Sequence, residues 1–386
     1  MRKRRWFILS LALAMLFSMP FQAFAKETWN PEQFAKEVSI AAETAALIDV
    51  QSGRVLYGKD MNKQMRIASL TKIITAIVAI ESGKLEETVT TSKNAYRVEG
   101  SSIYLALGEK QKLIDLVYAI MLRSGNDAAT AIAEHVGGGS VQKFADMMNA
   151  KVKELGLTGT HFVNPHGLDA PGHYSTAYDM AVLTAYALRN PIFAEVVKTK
   201  VKRIPWEGKE WDRVMRNKNK MLYRYAGADG VKTGYTESAG RCLASSATKD
   251  GRQLAVIVLN DRNDWDDSAK LLNYGFTKYQ YAESVKANEL VADLPVKKGT
   301  VEKVKIVAKD SLGYPVREEE RTLLRKEVKL PEQIKAPVQE GEKVGEITLY
   351  FDRKKIGTVD LISQESVEGT GFFSNLQRFL KGLFKE

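Results

Sequence analysis

The sequence predicts a mixed α/β (α+β) domain, a smaller all-β domain after it, and an amphipathic helix at the end of the chain. Three observations predict this. Between Thr44 and about Glu283, apolar residues recur at helical spacing in some stretches and in strand-type runs in others. Over residues 285–363 the runs become short and alternating, with charged turns between them. Residues 372–384 then carry apolar side chains along one helical face. At about 150 residues per domain, 386 residues hold two domains and terminal extras. With 44% hydrophobic and 27% charged residues, the chain suits packed cores and excludes a disordered, collagen-like or multi-pass membrane protein.

Residues 1–25 read as a secretory signal. Arg2, Lys3, Arg4 and Arg5 form a positive start, Trp6 to Phe17 is apolar except for Ser10, and Ala23-Phe24-Ala25 supplies the small residues that a signal peptidase requires. The apolar run is too short to cross ~30 Å of hydrocarbon at 1.5 Å per residue. The net charge is +10, and this leader carries four of those charges. The remaining excess suits anionic lipids or wall polymers, and without a basic motif no nucleic acid is expected as a partner.

The first domain is assigned to residues 26–284. Ala45 to Val50 and Arg54 to Tyr57 form a hairpin across Gln51-Ser52-Gly53. Ile73 to Ile80 is a buried helix. Leu113, Leu116, Val117 and Ile120 mark an amphipathic helix, as do Val141, Phe144, Met148 and Leu155. Ser175-Thr176 caps another, running to about Leu188. Leu254 to Leu259 is a solid apolar strand, and Ser268 to Tyr281 returns to helix. Strands at both ends with helices between them imply one sheet built from distant segments. Residues 285–363, with runs such as Val304-Lys305-Ile306 and Ile347 to Phe351, hold no histidine, no cysteine and no catalytic constellation, so a spacer or interaction role is expected. In residues 364–386, Phe372, Phe373, Leu376, Phe379, Leu380, Leu383 and Phe384 share a face, with Arg378, Lys381 and Lys385 largely off it. That pattern predicts a helix lying in the membrane interface through residues 372–384.

Three motifs carry chemistry. Ser69-Leu70-Thr71-Lys72 opens a helix, and residues three apart share a helical face, so the Ser69 hydroxyl and the Lys72 amine can meet. A serine at a helix N-terminus also sits beside free N–H groups that favour a developing oxyanion. Ser124-Gly125-Asn126 lies between two helix patterns. Lys232-Thr233-Gly234 follows Asp229-Gly230 and precedes an expected strand, Arg241 to Ala247. Each is loose alone; their order and settings together are specific, and they resemble the signature of penicillin-binding proteins and class A β-lactamases.

The surrounding residues narrow the resemblance. Ile67 to Lys72, Leu122 to Ala128, His166-Gly167-Leu168-Asp169-Ala170-Pro171-Gly172 with Ser175-Thr176-Ala177, and Gly230 to Thr236 are similar to the D-alanyl-D-alanine carboxypeptidases, the low-molecular-mass penicillin-binding proteins of peptidase family S11. The resemblance covers roughly residues 44–283, and the β domain and amphipathic end match the family's plan. It implies a serine β-lactamase/transpeptidase-like fold and removal of the terminal D-alanine from peptidoglycan pentapeptide stems, with β-lactam antibiotics acylating the same serine. Ser69 would be the nucleophile, Lys72 the general base and Ser124 the proton relay. Asn126, Lys232, Thr233, Gly234 and Tyr235 would bind substrate, with the Ser69 and Tyr235 N–H groups as the oxyanion hole. The enzyme would be exported and held peripherally on the outer face of the cytoplasmic membrane.

Some readings stay open. A D,D-endopeptidase would use the same site. A β-lactamase needs a deacylating glutamate, and the closest string, Glu154-Leu155-Gly156-Leu157-Thr158, ends in threonine. A substrate-carboxylate arginine could be Arg262 or Arg241. The single cysteine, Cys242, excludes a disulfide framework and reads as a buried hydrophobe. His161, His166 and His173 lack His-x-x-x-His spacing, so neither metal nor cofactor is expected. Trp206 and Trp211 read as packing residues.

Overall fold

The computed structural model describes residues 30–370; the expected leader (1–25) and the membrane-lying helix (372–384) fall outside them. The chain divides into two compact units between Asn273 and Tyr274.

In the first unit, β1 (Thr44–Asp49) and β2 (Val55–Lys59) form the expected hairpin, and Gly53 at its turn takes φ +70°, which glycine adopts without strain. Helix α1 (Lys72–Glu81) follows, then α2 (Leu113–Tyr118), α3 (Asn126–Val136), α4 (Val141–Glu154), α5 (Ala177–Leu188) and α6 (Pro191–Lys198). Thr176 caps α5 by accepting from the Asp179 N–H, as its position before an apolar run requires. The short strands β3 (Thr88–Thr90) and β4 (Lys110–Lys112) pair between α1 and α2, and a further hairpin, β5 (Val201–Ile204) with β6 (Arg213–Arg216), leads to β7 (Ala228–Thr236), β8 (Gly240–Lys249) and β9 (Arg252–Leu259).

The main sheet runs β2-β1-β9-β8-β7, all antiparallel, so the first strands of the unit pair with its last. Leu254 to Leu259 are all completely buried. Consecutive strand residues point to opposite faces, so this central strand is covered on both sides. Helix α5 packs on β1 and β9, and α6 packs on β7. Deleting such a buried side chain, as in Leu47→Ala, costs about 2–5 kcal/mol. The site is thus built on a rigid platform.

Three local expectations are corrected, and one further strand is found. The helix marked by Leu113 to Ile120 passes at Ala119–Arg123 into a π-turn, which ends at Ser124 in the left-handed region (φ +65°). The last helix spans Asp264–Lys278 rather than Ser268 to Tyr281, because Asp264, Asp266 and Asp267 fill the first turn that favours carboxylates. Gln280–Val285 is a strand, β10, and pairs with the strand Leu312–Val316, both in the second unit. The change of unit therefore comes earlier than the change in composition near Val285. Lys232-Thr233-Gly234, which precedes the expected strand at Arg241 to Ala247, itself lies inside a strand, β7.

Among the described residues, the second unit is all-β apart from the 3-10 segment Glu318–Leu323 and the helix end it contains. Its larger sheet has six strands; Val304, Ile306, Ile347, Val359 and Leu361 face its core.

Three buried carboxylates, Asp261, Asp264 and Asp267, follow β9. Asp264 pairs with Arg241 and Asp267 with Lys270. Asp261 Oδ1 accepts from the Asn263 N–H, while Oδ2 has no hydrogen-bond partner among the described residues. Burial, with Asp267 and Asp264 beside it, pushes the Asp261 carboxyl up to about 6. A folded pKa above the unfolded one gives stability that is complete below the unfolded value and is lost as pH rises through the folded one. Thermal unfolding should therefore show stability falling between about pH 4 and pH 7, and Asp261→Asn should remove part of that fall, roughly 1–3 kcal/mol at pH 8.

Candidate active site

Ser69 sits in a 3-10 turn, Ala68–Thr71, that feeds α1 and packs on β7 and β8. Lys72, one helical step on, is completely buried. Its Nζ lies 3.0 Å from Ser69 Oγ, 2.7 Å from Asn126 Oδ1 and 2.6 Å from the His166 carbonyl oxygen. Two of these neighbours are carbonyl oxygens, which only accept. They take two N–H bonds whatever the charge on Lys72. In the neutral amine the third direction is the lone pair, and it faces the Ser69 hydroxyl.

The surroundings favour that neutral form. Burial holds Lys72 well below the ordinary lysine range, and the ammonium groups of Lys232 and then Lys218 push the same way. Lys232, also buried, donates to the Thr233 carbonyl at 2.6 Å and is lowered to about 7 by burial and by Lys218. Two amines in one pocket resist holding two protons.

Asn126 begins α3 and is fixed at three points. Its backbone N–H donates to Ser101 O (2.6 Å), Nδ2 donates to Glu99 O (2.6 Å), and Oδ1 accepts from Lys72. The next residue, buried Asp127, accepts from the Ser102 hydroxyl and from the Ile103 and Leu105 N–H groups. Residues 99–105 are thereby bound to the N-terminus of α3. Gly100 is at φ +89°, and a Cβ there would stand 2.8 Å from Asn126 Nδ2. Ser124 is buried at the end of the π-turn.

Strand β7 is the edge of the sheet. Lys232 and Gly234 share one face and Thr233 and Tyr235 the other. A Cβ on Gly234 would lie 3.1 Å from Ile67 O and 3.2 Å from the Ser69 N, so glycine lets the strand approach the serine turn. Tyr235 has an exposed side chain.

A loop, residues 164–172, closes the arrangement. Asn164 Oδ1 accepts from the His166 and Gly167 N–H groups. Asp169 accepts from Thr236 and Ser238, beyond Gly234 on the β7–β8 turn. Burial, then Lys72, lowers His166 to about 3, so its imidazole is neutral.

The sequence motifs thus converge as far as Ser69, Lys72, Asn126, Lys232 and Gly234 are concerned. The His166 carbonyl and Lys218 were not anticipated. Lys218 reads as one charge in Asn217-Lys218-Asn219-Lys220, and nothing in the residue pattern marks its neighbours. Of the two arginine candidates, Arg241 faces Tyr235 across the β7–β8 pair and is ion-paired with Asp264, while Arg262 lies exposed after β9. Cys242 is buried, which pushes its thiol up to about 12. Trp206 stacks on Arg213, itself paired with buried Glu109, while Trp211 is exposed. Among the described residues no three of His, Cys, Asp and Glu gather as a metal would need.

Comparison with known proteins agrees with this geometry. Residues 31–263 match the family described as D-alanyl-D-alanine carboxypeptidase, Peptidase S11, and residues 279–369 match the penicillin-binding protein 5 C-terminal domain. The chain is 34% identical over 369 residues to the D-alanyl-D-alanine carboxypeptidase DacF of Bacillus subtilis, covering 91% of this chain and 94% of that one. It is 33% identical over 380 residues to DacC of Escherichia coli, covering 94% and 93%. Penicillin-binding protein 5 of Haemophilus influenzae superposes with a TM-score of 0.66 at 28% identity, over 86% of this chain and 98% of that one.

The tight loop contact gives a direct test. Gly167 is at φ +84°, and a Cβ would fall 1.9 Å from the Ala68 carbonyl oxygen, whereas Gly83 at φ +74° has open space. Chemical unfolding should show Gly167→Ala destabilised by about 2–4 kcal/mol and Gly83→Ala by about 1 kcal/mol, the cost of the backbone angle alone.

Proposed function

The chain belongs to the D-alanyl-D-alanine carboxypeptidase family, peptidase S11, and on that premise we propose how its residues remove the terminal D-alanine from peptidoglycan pentapeptide stems. Neutral Lys72 accepts the Ser69 proton as Oγ attacks the carbonyl between the two D-alanines. The negative charge formed on that oxygen is met by the backbone N–H groups of Ser69 and Tyr235. The C–N bond breaks, the proton passes through Ser124 to the departing amine, and D-alanine leaves. Thr233 binds the substrate's terminal carboxylate beside Lys232, whose pKa rises again as that anion arrives, and Asn126 holds the peptide amide. Water then hydrolyses the ester and regenerates Ser69. A β-lactam enters as the same kind of acyl donor.

The observation that carries this reading is the environment of Lys72, with two obligatory acceptors and a third direction towards Ser69 Oγ. A β-lactamase reading loses ground because Glu154 ends α4 in an ion pair with Lys151. Export through residues 1–25 and attachment to the outer face of the cytoplasmic membrane through residues 372–384 remain part of the proposal, supported by their sequence patterns. Among the described residues no helix is long and apolar enough to cross a membrane.

Two measurements test the proposal. Purified protein should release D-alanine from a pentapeptide and be labelled by a fluorescent penicillin, and Ser69→Ala should abolish both; labelling that persists in that variant contradicts the assignment. The acid limb of kcat/KM reports protonation of the base. Removing the Lys218 charge raises the Lys72 and Lys232 pKa values, so Lys218→Ala should move that limb to higher pH, by roughly half a unit. An unmoved limb would exclude Lys218 from setting the base.

A further inference from the structure

Thr71 and His173 take no part in the chemistry above, yet both are buried against the turn that holds the nucleophile. The Val163 N–H donates to His173 Nδ1 at 3.2 Å. That nitrogen must carry a lone pair, so in the neutral ring the proton sits on Nε2. Nε2 lies 2.8 Å from Thr71 Oγ1, and Thr71 Oγ1 donates to the Ala68 carbonyl oxygen at 2.9 Å. The bonds run in one direction, from the 163–173 segment through the imidazole and hydroxyl to Ala68. Burial, with His161 beside it, lowers His173 to about 4, in keeping with the neutral ring.

The end of this chain matters because of peptide geometry. The Ala68 C=O and the Ser69 N–H belong to one planar trans peptide, so they point in opposite directions. Fixing the carbonyl fixes the N–H. Ala68 also sits at φ +47°, a conformation an alanine does not hold by preference. Something must hold it there, and Thr71 and the close approach of Gly167 both act on its carbonyl.

We propose that Thr71 and His173 are positioning residues that aim the Ser69 backbone N–H at the oxyanion of the acyl-transfer transition state. This rests on the function proposed above and deepens it. The pair acts on one donor whose value is realised as charge develops, so its loss reduces the chemical step and leaves ground-state binding nearly unchanged.

The test compares Thr71→Val, which keeps the shape and loses the hydroxyl, with Thr71→Ser, which keeps the hydroxyl. Penicillin acylation is resolved into its dissociation constant and its first-order rate constant, and kcat and KM are measured for D-alanine release, below the melting temperature of every variant. Thr71→Val should lower the first-order acylation constant and kcat by about tenfold with KM within about twofold of wild type, and Thr71→Ser should recover most of the rate. His173→Phe should resemble Thr71→Val, and the double variant should be no slower than either alone, since both cut one chain. If Thr71→Val does not fold, Thr71→Ala replaces it in the same comparison. Wild-type rates in the variant without the hydroxyl, a loss confined to KM, or equal slowing in Thr71→Ser would overturn the inference. A wild-type protein that neither acylates nor releases D-alanine would overturn the proposed function, and this inference with it.

Discussion

A lysine amine buried between two carbonyl oxygens and a serine hydroxyl is the constraint on which the rest of this structure turns. Lys72 has no solvent to hydrate an ammonium, and Lys232 and Lys218 make a second and third positive charge costly. Asn126 and the His166 carbonyl absorb its N–H groups, so what remains for Ser69 is the lone pair. Burial alone would yield an inert amine, and the two acceptors alone would suit an ammonium equally well. Together they give a base with a defined direction.

Holding that arrangement needs three separated stretches of chain to come within hydrogen-bonding distance, and glycines permit the closest approaches. Gly234 lets the edge strand lie against the serine turn, and Gly167 lets the covering loop press on Ala68. The loop is then tied at both ends of the site, to Lys72 through the His166 carbonyl and to the β7–β8 turn through Asp169. The polar bonds decide geometry more than stability, since each contributes only about 1 kcal/mol net. The stability comes from the apolar platform of β1, β9 and the helices on it.

Much of this was legible in the residues. The hairpin at 44–59, the solid strand at 254–259 and the Thr176-capped helix follow from apolar spacing and capping chemistry, which are local. Ser69 and Lys72 meet because three residues make one helical step. The strand carrying Lys232 was harder to see, because Gly230, Lys232, Thr233 and Gly234 suppress the apolar alternation that marks strands elsewhere. The onset of β10 was hidden in the same way, since Gln280 and Glu283 continue a polar pattern that helix and edge strand share. The His166 carbonyl could not have been found from side-chain chemistry, because a backbone oxygen acts there. Lys218 was masked by its neighbours, since its influence comes from proximity to two buried amines across the fold.

The charge state of Lys72 decides whether it can take the Ser69 proton. Isotopic labelling of the lysine side chains, with Lys72 assigned by its loss in Lys72→Arg, allows its titration to be followed by NMR in the free protein. Lys72 should lose its proton well below the range of the exposed lysines. Titration of Lys72 together with the surface lysines, near about 10.4, would contradict it.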